Sequence, residues 1–226
     1  MGSLNILTYH EEVFSDRKQA AEMLSLQLSE YRAREDAVVL GIPRGGVVVA
    51  GTIADSLDAE LDIVLTRKIG APLNPELAAG AVSEDGKLYL NKAIVSSLGI
   101  SQEYISKEKS YQLDEISKQK ELYRKVLEKK SLRGMVVILT DYGIATGATM
   151  QAAIWASIAE FPQKIVLAVP VAPPETLEKF SQDVDETICL CAPENFRALS
   201  QFYTYFEQVD DEQVIEILKK YSKVKK

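Results

Sequence analysis

The sequence predicts an α/β protein, a doubly wound and mainly parallel five-stranded sheet flanked by helices. Short runs dense in Val, Ile and Leu recur along the chain, each bounded by turn residues. The runs are apolar throughout rather than alternating, as suits strands covered on both faces. Segments of helical periodicity lie between them, the pattern by which a chain joins parallel strands through crossover helices.

Strands are expected at 37–42 (AVVLGI), 61–66 (LDIVLT), 135–140 (MVVILT), 164–170 (KIVLAVP) and 186–191 (ETICLC). Helices are expected over Asp16–Tyr31, Gly46–Leu57, Gly147–Glu160 and Pro174–Phe180. One insertion breaks the alternation. Residues 80–91 (GAVSEDGKLYLN) read as a hairpin turning at Asp85 and Gly86. A long helix then follows over Ser101–Lys130, with Tyr104, Ile105, Tyr111, Ile116, Leu122, Tyr123, Val126 and Leu127 near helical spacing and Lys and Glu between them. That pattern is a solvated helix with one packed stripe. The tail concentrates aromatic residues, Phe196, Phe202, Tyr203, Tyr205 and Phe206, expected mainly to pack, capping the sheet or walling a ligand. The chain, 1–226, is therefore expected to be one domain, with 80–130 and 193–226 as peripheral elements.

Composition narrows the function. With 46% hydrophobic and 26% charged residues, the chain has the balance of a folded globular protein. A net charge of −7 argues against a broad nucleic-acid surface, so any anion site must be built locally against the overall field. No apolar run approaches the roughly 18 residues of a membrane span. The opening lacks the basic and apolar regions of a signal peptide. The two cysteines, Cys189 and Cys191, are expected to be buried, structural and in a reducing compartment, so a cytoplasmic location is expected. A Cys/His metal site is not expected, because His10 is the only histidine.

The junction 135–150, MVVILTDYGIATGATM, carries the chemistry. A buried strand ends at Thr140, and a helix with apolar Met150, Ala153, Ile154 and Ile158 starts near Gly147. The loop between them sets free first-turn amides at the carboxyl edge of the sheet, where ligands of open α/β sheets bind. Those amides and the positive end of the helix dipole favour an anion. Gly143 and Gly147 let backbone come close, and Thr146 and Thr149 add hydroxyls. Neither the P-loop nor the dinucleotide fingerprint is present. Asp141 beside such a cradle suits a sugar hydroxyl or Mg²⁺ rather than phosphate.

VILTDYGIATGATM resembles the phosphoribosyl-diphosphate (PRPP) motif of the type I phosphoribosyltransferases. In that family a hydrophobic strand leads to two acidic residues and a loop ending in Thr-Gly-x-Thr. GIPRGGVVVA (41–50) is similar to the pyrophosphate loop, TRKIGAPLNPELAAGAV (66–82) to the flexible-loop region, and the segment from Cys191 to the tail of predicted family members with unassigned acceptors. The resemblance implies a small hood or flap beside the sheet. It also implies transfer of 5-phosphoribosyl from PRPP to a nitrogenous small-molecule acceptor, with release of pyrophosphate. Ala145, Thr146, Gly147, Ala148 and Thr149 would bind the 5′-phosphate, and Asp141 and Tyr142 the ribose. Pro43, Arg44, Gly45, Gly46, Arg67 and Lys68 would bind pyrophosphate, with Asp141, Lys68 and Arg67 acting in catalysis. Mg²⁺ is implied, held indirectly by Asp141, and a homodimer is implied as well.

The chain departs from the motif at two places. Tyr142 stands where the second acid is usual, and Ala145 where an acid often serves the acceptor. A tyrosine near its ordinary pKa of about 10 is neutral, so one negative charge beside the developing sugar cation is missing. Two readings follow: a working transferase with altered sugar contacts, or a non-catalytic module that binds PRPP or a nucleotide. A third, a phosphosugar isomerase, would need an acid/base pair, for which His10, Glu76 and Glu84 are the unassigned residues.

Overall fold

The computed structural model describes residues 2–222. The first half runs β1 (Ser3–Thr8), α1 (Arg17–Gln27), β2 (Ala37–Gly41), α2 (Gly45–Leu57) and β3 (Glu60–Ile63). The insertion follows as β4 (Thr66–Ala71), β5 (Asn74–Ser83), β6 (Leu88–Leu90), α3 (Lys92–Ser97) and α4 (Gln102–Tyr123). The second half is β7 (Val136–Thr140), α5 (Ala148–Ile158), β8 (Lys164–Val171), α6 (Pro174–Phe180), β9 (Glu186–Cys191) and α7 (Asp211–Ser222).

Among the described residues the main sheet has six strands in the order β1-β9-β8-β7-β2-β3, and every pairing is parallel. The five expected strands are all present. The sixth is β1, an edge strand whose residues are partly exposed, so it lacks the continuous apolar run that marks the others.

The uniform greasiness of the central strands has a direct cause. Val39, Ile138 and Val166 join one core with α1, α2 and α7. Val38, Leu40, Val137 and Leu139 join a second core with α5 and α6 on the other face. Side chains alternate sides, and both sides are dry.

Three expectations need correction. The hairpin expected at 80–91 is present as β5 and β6, and it belongs to a three-stranded antiparallel sheet, β4-β5-β6, that begins at Thr66. The segment after Lys68 is thus strand, not loop, because Ile69, Ala71, Ala79 and Ala81 find buried positions there. The strand expected over 61–66 ends at Ile63, and the helix expected to reach Lys130 stops at Tyr123. Beyond that point Arg124 turns inward to a buried carboxylate pair: Nη1 lies 2.5 Å from Asp62 and Nη2 2.6 Å from Glu84.

Candidate functional site

Register positions the site. Gly41 of β2 sits opposite Thr140 of β7, so the loops leaving these strands emerge side by side. The chain from β2 crosses towards β3 and that from β7 towards β8, on opposite sides, which makes this the switch point of the sheet.

The two loops interlock through small residues. Asp141 follows β7 directly, and its Oδ1 accepts the Tyr142 backbone N–H at 2.8 Å. A Cβ on Gly46 would lie 2.8 Å from that oxygen, and one on Gly45 would lie 2.5 Å from the Tyr142 ring. The bare first turn of α2 thus leaves room for the Tyr142 ring at Gly45 and for the Asp141 carboxylate at Gly46 as the second loop closes over it. The Pro43–Arg44 peptide is cis, a feature nothing in the sequence announced. Burial pushes the half-buried Asp141 carboxyl up to about 7, against the opposing pull of the Tyr142 amide and the Arg17 cation.

The start of α5 is open. Gly147 caps it at φ +77°, a left-handed conformation that a side chain would strain. No side chain caps this helix. The chain is pinned at either side, where Ile144 N–H donates to Val171 O at 2.8 Å and Gln151 N–H to Gly147 O at 2.8 Å. Among the described residues, no protein acceptor takes the amides of Ala145, Thr146, Gly147, Ala148 or Thr149. Free amides at a helix start are the local requirement for an anion.

Two adjoining cavities meet at this point. One, of about 550 Å³, is lined by Pro43, Arg44, Gly45, Asp141, Tyr142 and Thr149, together with Arg17 and Phe206–Val209. The other, of about 350 Å³, is lined by Pro43, Arg67, Lys68, Thr146, Ala148 and Thr149. Ile42, Pro43, Gln119 and Thr149 border both. Arg17, Arg44, Arg67 and Lys68 thus face Asp141 and Glu207 across the pair. In a chain of net charge −7, that is a local reversal of sign suited to a polyanion. Of the remaining expected residues, Gly147 borders a third cavity of about 690 Å³, together with Thr146 and Ala148. Gly46 is buried under Asp141, and Ala145 is exposed.

Tyr142 is held as a packing residue. Its ring meets Phe206 edge-on at 5.6 Å and carries the Arg17 guanidinium 4.9 Å from its centroid. Arg17 lies 4.3 Å over Phe206 as well and donates to the Glu207 carbonyl at 2.9 Å. Tyr203 donates to the Tyr142 carbonyl and stacks on Phe206 at 5.3 Å. The tail therefore packs, as its aromatic content predicts, and also walls the cavity.

Arg17 and Gln119 were missed by sequence reasoning. Arg17 opens α1 behind its cap Asp16, whose side chain accepts the Gln19 N–H, and no motif marks it. Gln119 reaches the cavity from the solvated helix α4. The segments expected to be peripheral thus supply part of the wall. The isomerase residues are not assembled: Glu84 is engaged by Arg124, and His10 is exposed in the loop after β1. The Glu76 side chain lies outside the described residues.

Comparison with known proteins identifies the family. A family model described as a phosphoribosyl transferase domain matches residues 11–207. The crystal structure of TT1426 from Thermus thermophilus is 42% identical, covers 92% of this chain and 99% of its own, and superposes with a TM-score of 0.87. Proteins from two Mycobacterium tuberculosis strains, provisionally named phosphoribosyl transferases, are 38% identical over 92% of this chain. The chain spans about half the length of these relatives, 46%. The family model's match to residues 11–207, with relatives of that name 38% identical over 92% of the chain, places the chain in the phosphoribosyl transferase domain family.

Proposed function

We propose that the protein transfers 5-phosphoribosyl from PRPP to a nitrogenous acceptor. The bond from ribose C1 to pyrophosphate breaks, a C1–N bond forms, and pyrophosphate leaves with the electron pair. The observation that carries this reading is the run of unpartnered amides at Ala145–Thr149, beside four basic side chains at one sheet edge. The amides and Thr149 would hold the 5′-phosphate, Asp141 a ribose hydroxyl, and Arg44, Arg67 and Lys68 the pyrophosphate. The hairpin β4–β5, packed on α5, would keep water from the sugar cation.

Among the described residues no cluster of three or more His, Cys, Asp or Glu forms a metal cage. A carboxylate at the end of β7, Asp141, fits Mg²⁺ carried on substrate phosphates, since the ion keeps several waters and needs only one or two carboxylates. Asp141 is the carboxylate that would orient it, and the ion would offset charge on the leaving group. The same proposal takes the chain as one catalytic domain, cytoplasmic and homodimeric, on the family's pattern; among the described residues no helix is long and apolar enough to cross a membrane.

A second reading has its own observation. Tyr142 stacks with Arg17 where an acid would oppose the sugar cation, which favours a non-catalytic module that binds PRPP or a nucleotide. Thermal shift with PRPP and Mg²⁺ tests both, since a ligand of the folded state stabilises it by mass action. A rise in Tm that Thr149→Ala diminishes is expected. No shift with PRPP, ribose 5-phosphate or nucleoside monophosphates rejects both readings.

A further inference from the structure

Arg44 sits in the loop assigned to pyrophosphate, yet its guanidinium is gripped from distant parts of the chain. Its Nε lies 2.9 Å from Oδ1 of Asp211, the first residue of α7. Tyr123, the last residue of α4, donates its hydroxyl to the same oxygen. The Arg44 and Asp211 side chains are 43% and 39% exposed, and an isolated pair of that kind contributes little. Tyr123 changes the case. It is fully buried, so core packing fixes its hydroxyl and the hydroxyl fixes the carboxylate. Burial and then the Asp211 carboxylate push its phenol well above the ordinary value, so it stays a donor.

The contact also has a direction. A guanidinium is a rigid planar fork with five donors. Asp211 takes Nε, the inner nitrogen, and the Tyr123 hydroxyl also lies within reach of the guanidinium; among the described residues no second carboxylate pairs with it, and Arg44 lines the 550 Å³ cavity that Asp211 does not. We propose that Asp211, anchored by Tyr123, is a positioning residue that presents the Arg44 fork to the pyrophosphate end of the ligand. The proposal rests on the phosphoribosyl transfer reading and deepens it. Two peripheral helix ends, one from α4 and one from α7, thereby set the aim of a cation in the central site.

Calorimetry on the full chain tests it, with magnesium pyrophosphate and ribose 5-phosphate titrated separately. Asp211→Asn keeps the size and the helix start but removes the charge. It is expected to weaken pyrophosphate binding about tenfold, as loss of a charge-assisted hydrogen bond to an aiming group would. Ribose 5-phosphate affinity should stay unchanged, and Asp211→Glu should restore most of the pyrophosphate affinity. Tyr123→Phe, which keeps the buried ring, should move pyrophosphate binding in the same direction by less. Unchanged pyrophosphate affinity in both Asp211→Asn and Tyr123→Phe overturns the proposal. Tighter binding in Asp211→Asn overturns it too, because Asp211 would then be a competitor that pyrophosphate displaces. Equal loss of both ligands in both variants reduces the contact to general support and also overturns it. A wild-type chain that binds neither ligand defeats the transfer reading itself, and this proposal with it.

Discussion

Oδ1 of Asp141 stands over Gly46 so closely that a methyl group there would meet it at 2.8 Å. The acid of one loop and the glycine of the other are a single fitted unit. Gly46→Ala should therefore separate stability from function. Alanine favours a helix over glycine by about 0.5–1 kcal/mol, which offsets the small backbone adjustment that the Asp141 Cα at 3.2 Å requires, and the nearest atom in its way is the movable end of a side chain. The folded state should lose little, while the displaced carboxylate should lose the aim at the sugar that the proposed function assigns to it. Ribose 5-phosphate affinity should fall about tenfold with Tm within a few degrees of wild type. Calorimetry and a thermal melt on one preparation check both halves.

Asp141 should also leave a mark on pH dependence. Its carboxyl rises from an ordinary 3.8 to about 7 through burial, so the folded state holds the proton more tightly than the unfolded one. Its contribution to stability is greatest below about pH 4, declines as pH rises through the window from about 4 to 7, and is level above. Asp141→Asn removes that penalty. The variant should melt above wild type at pH 8 and close to it at pH 4, while binding ribose 5-phosphate more weakly. A wild-type-like difference in Tm between the two pH values in the variant would contradict the assignment.

Tyr142→Asp restores the acid missing from the motif and decides between transferase and binding module. The change discards the edge contact with Phe206 and the cation–π contact with Arg17, together worth about 1–3 kcal/mol. The variant should thus melt lower. If the chain is a transferase, pyrophosphate release across an acceptor panel should rise by roughly ten- to a hundredfold, the scale of one electrostatic contributor. Absence of release in both forms, with ribose 5-phosphate still bound, favours the binding module.

Much of this site was legible because its parts are local. Asp141, Thr146, Gly147 and Thr149 lie within one strand–loop–helix unit, where backbone geometry alone dictates open amides. Arg17, Gln119 and Asp211 were not legible, since each arrives from a different helix by tertiary packing and carries no spacing signal. The sheet shows the same division. Strands buried on both faces announce themselves by continuous apolar runs, whereas β1 has one partner and an exposed pattern. The segment after Lys68 reads as loop because Gly70, Pro72 and Pro75 are turn formers. Their antiparallel pairing accommodates those residues with register shifts at Ile69/Gly70 and Gly70/Ala71.

The buried triad of Arg124, Asp62 and Glu84 offers a test of how the frame supports the site. Asp62 and Glu84 are 1% and 7% exposed, and the single guanidinium lies 2.5 Å and 2.6 Å from their carboxylates. Removing the cation leaves two buried charges facing each other, so Arg124→Met should cost about 3–5 kcal/mol in urea unfolding at neutral pH. The loss should shrink on acidification, because burial pushes the Asp62 carboxyl up even beside Arg124 and protonating it removes a charge left without its cation. Arg124 directly follows Tyr123, whose hydroxyl anchors Asp211 and through it Arg44. A folded Arg124→Met chain should therefore also bind magnesium pyrophosphate more weakly, with ribose 5-phosphate binding less affected. Equal stability at pH 5 and pH 8 in the variant would mean that the two carboxylates find other partners.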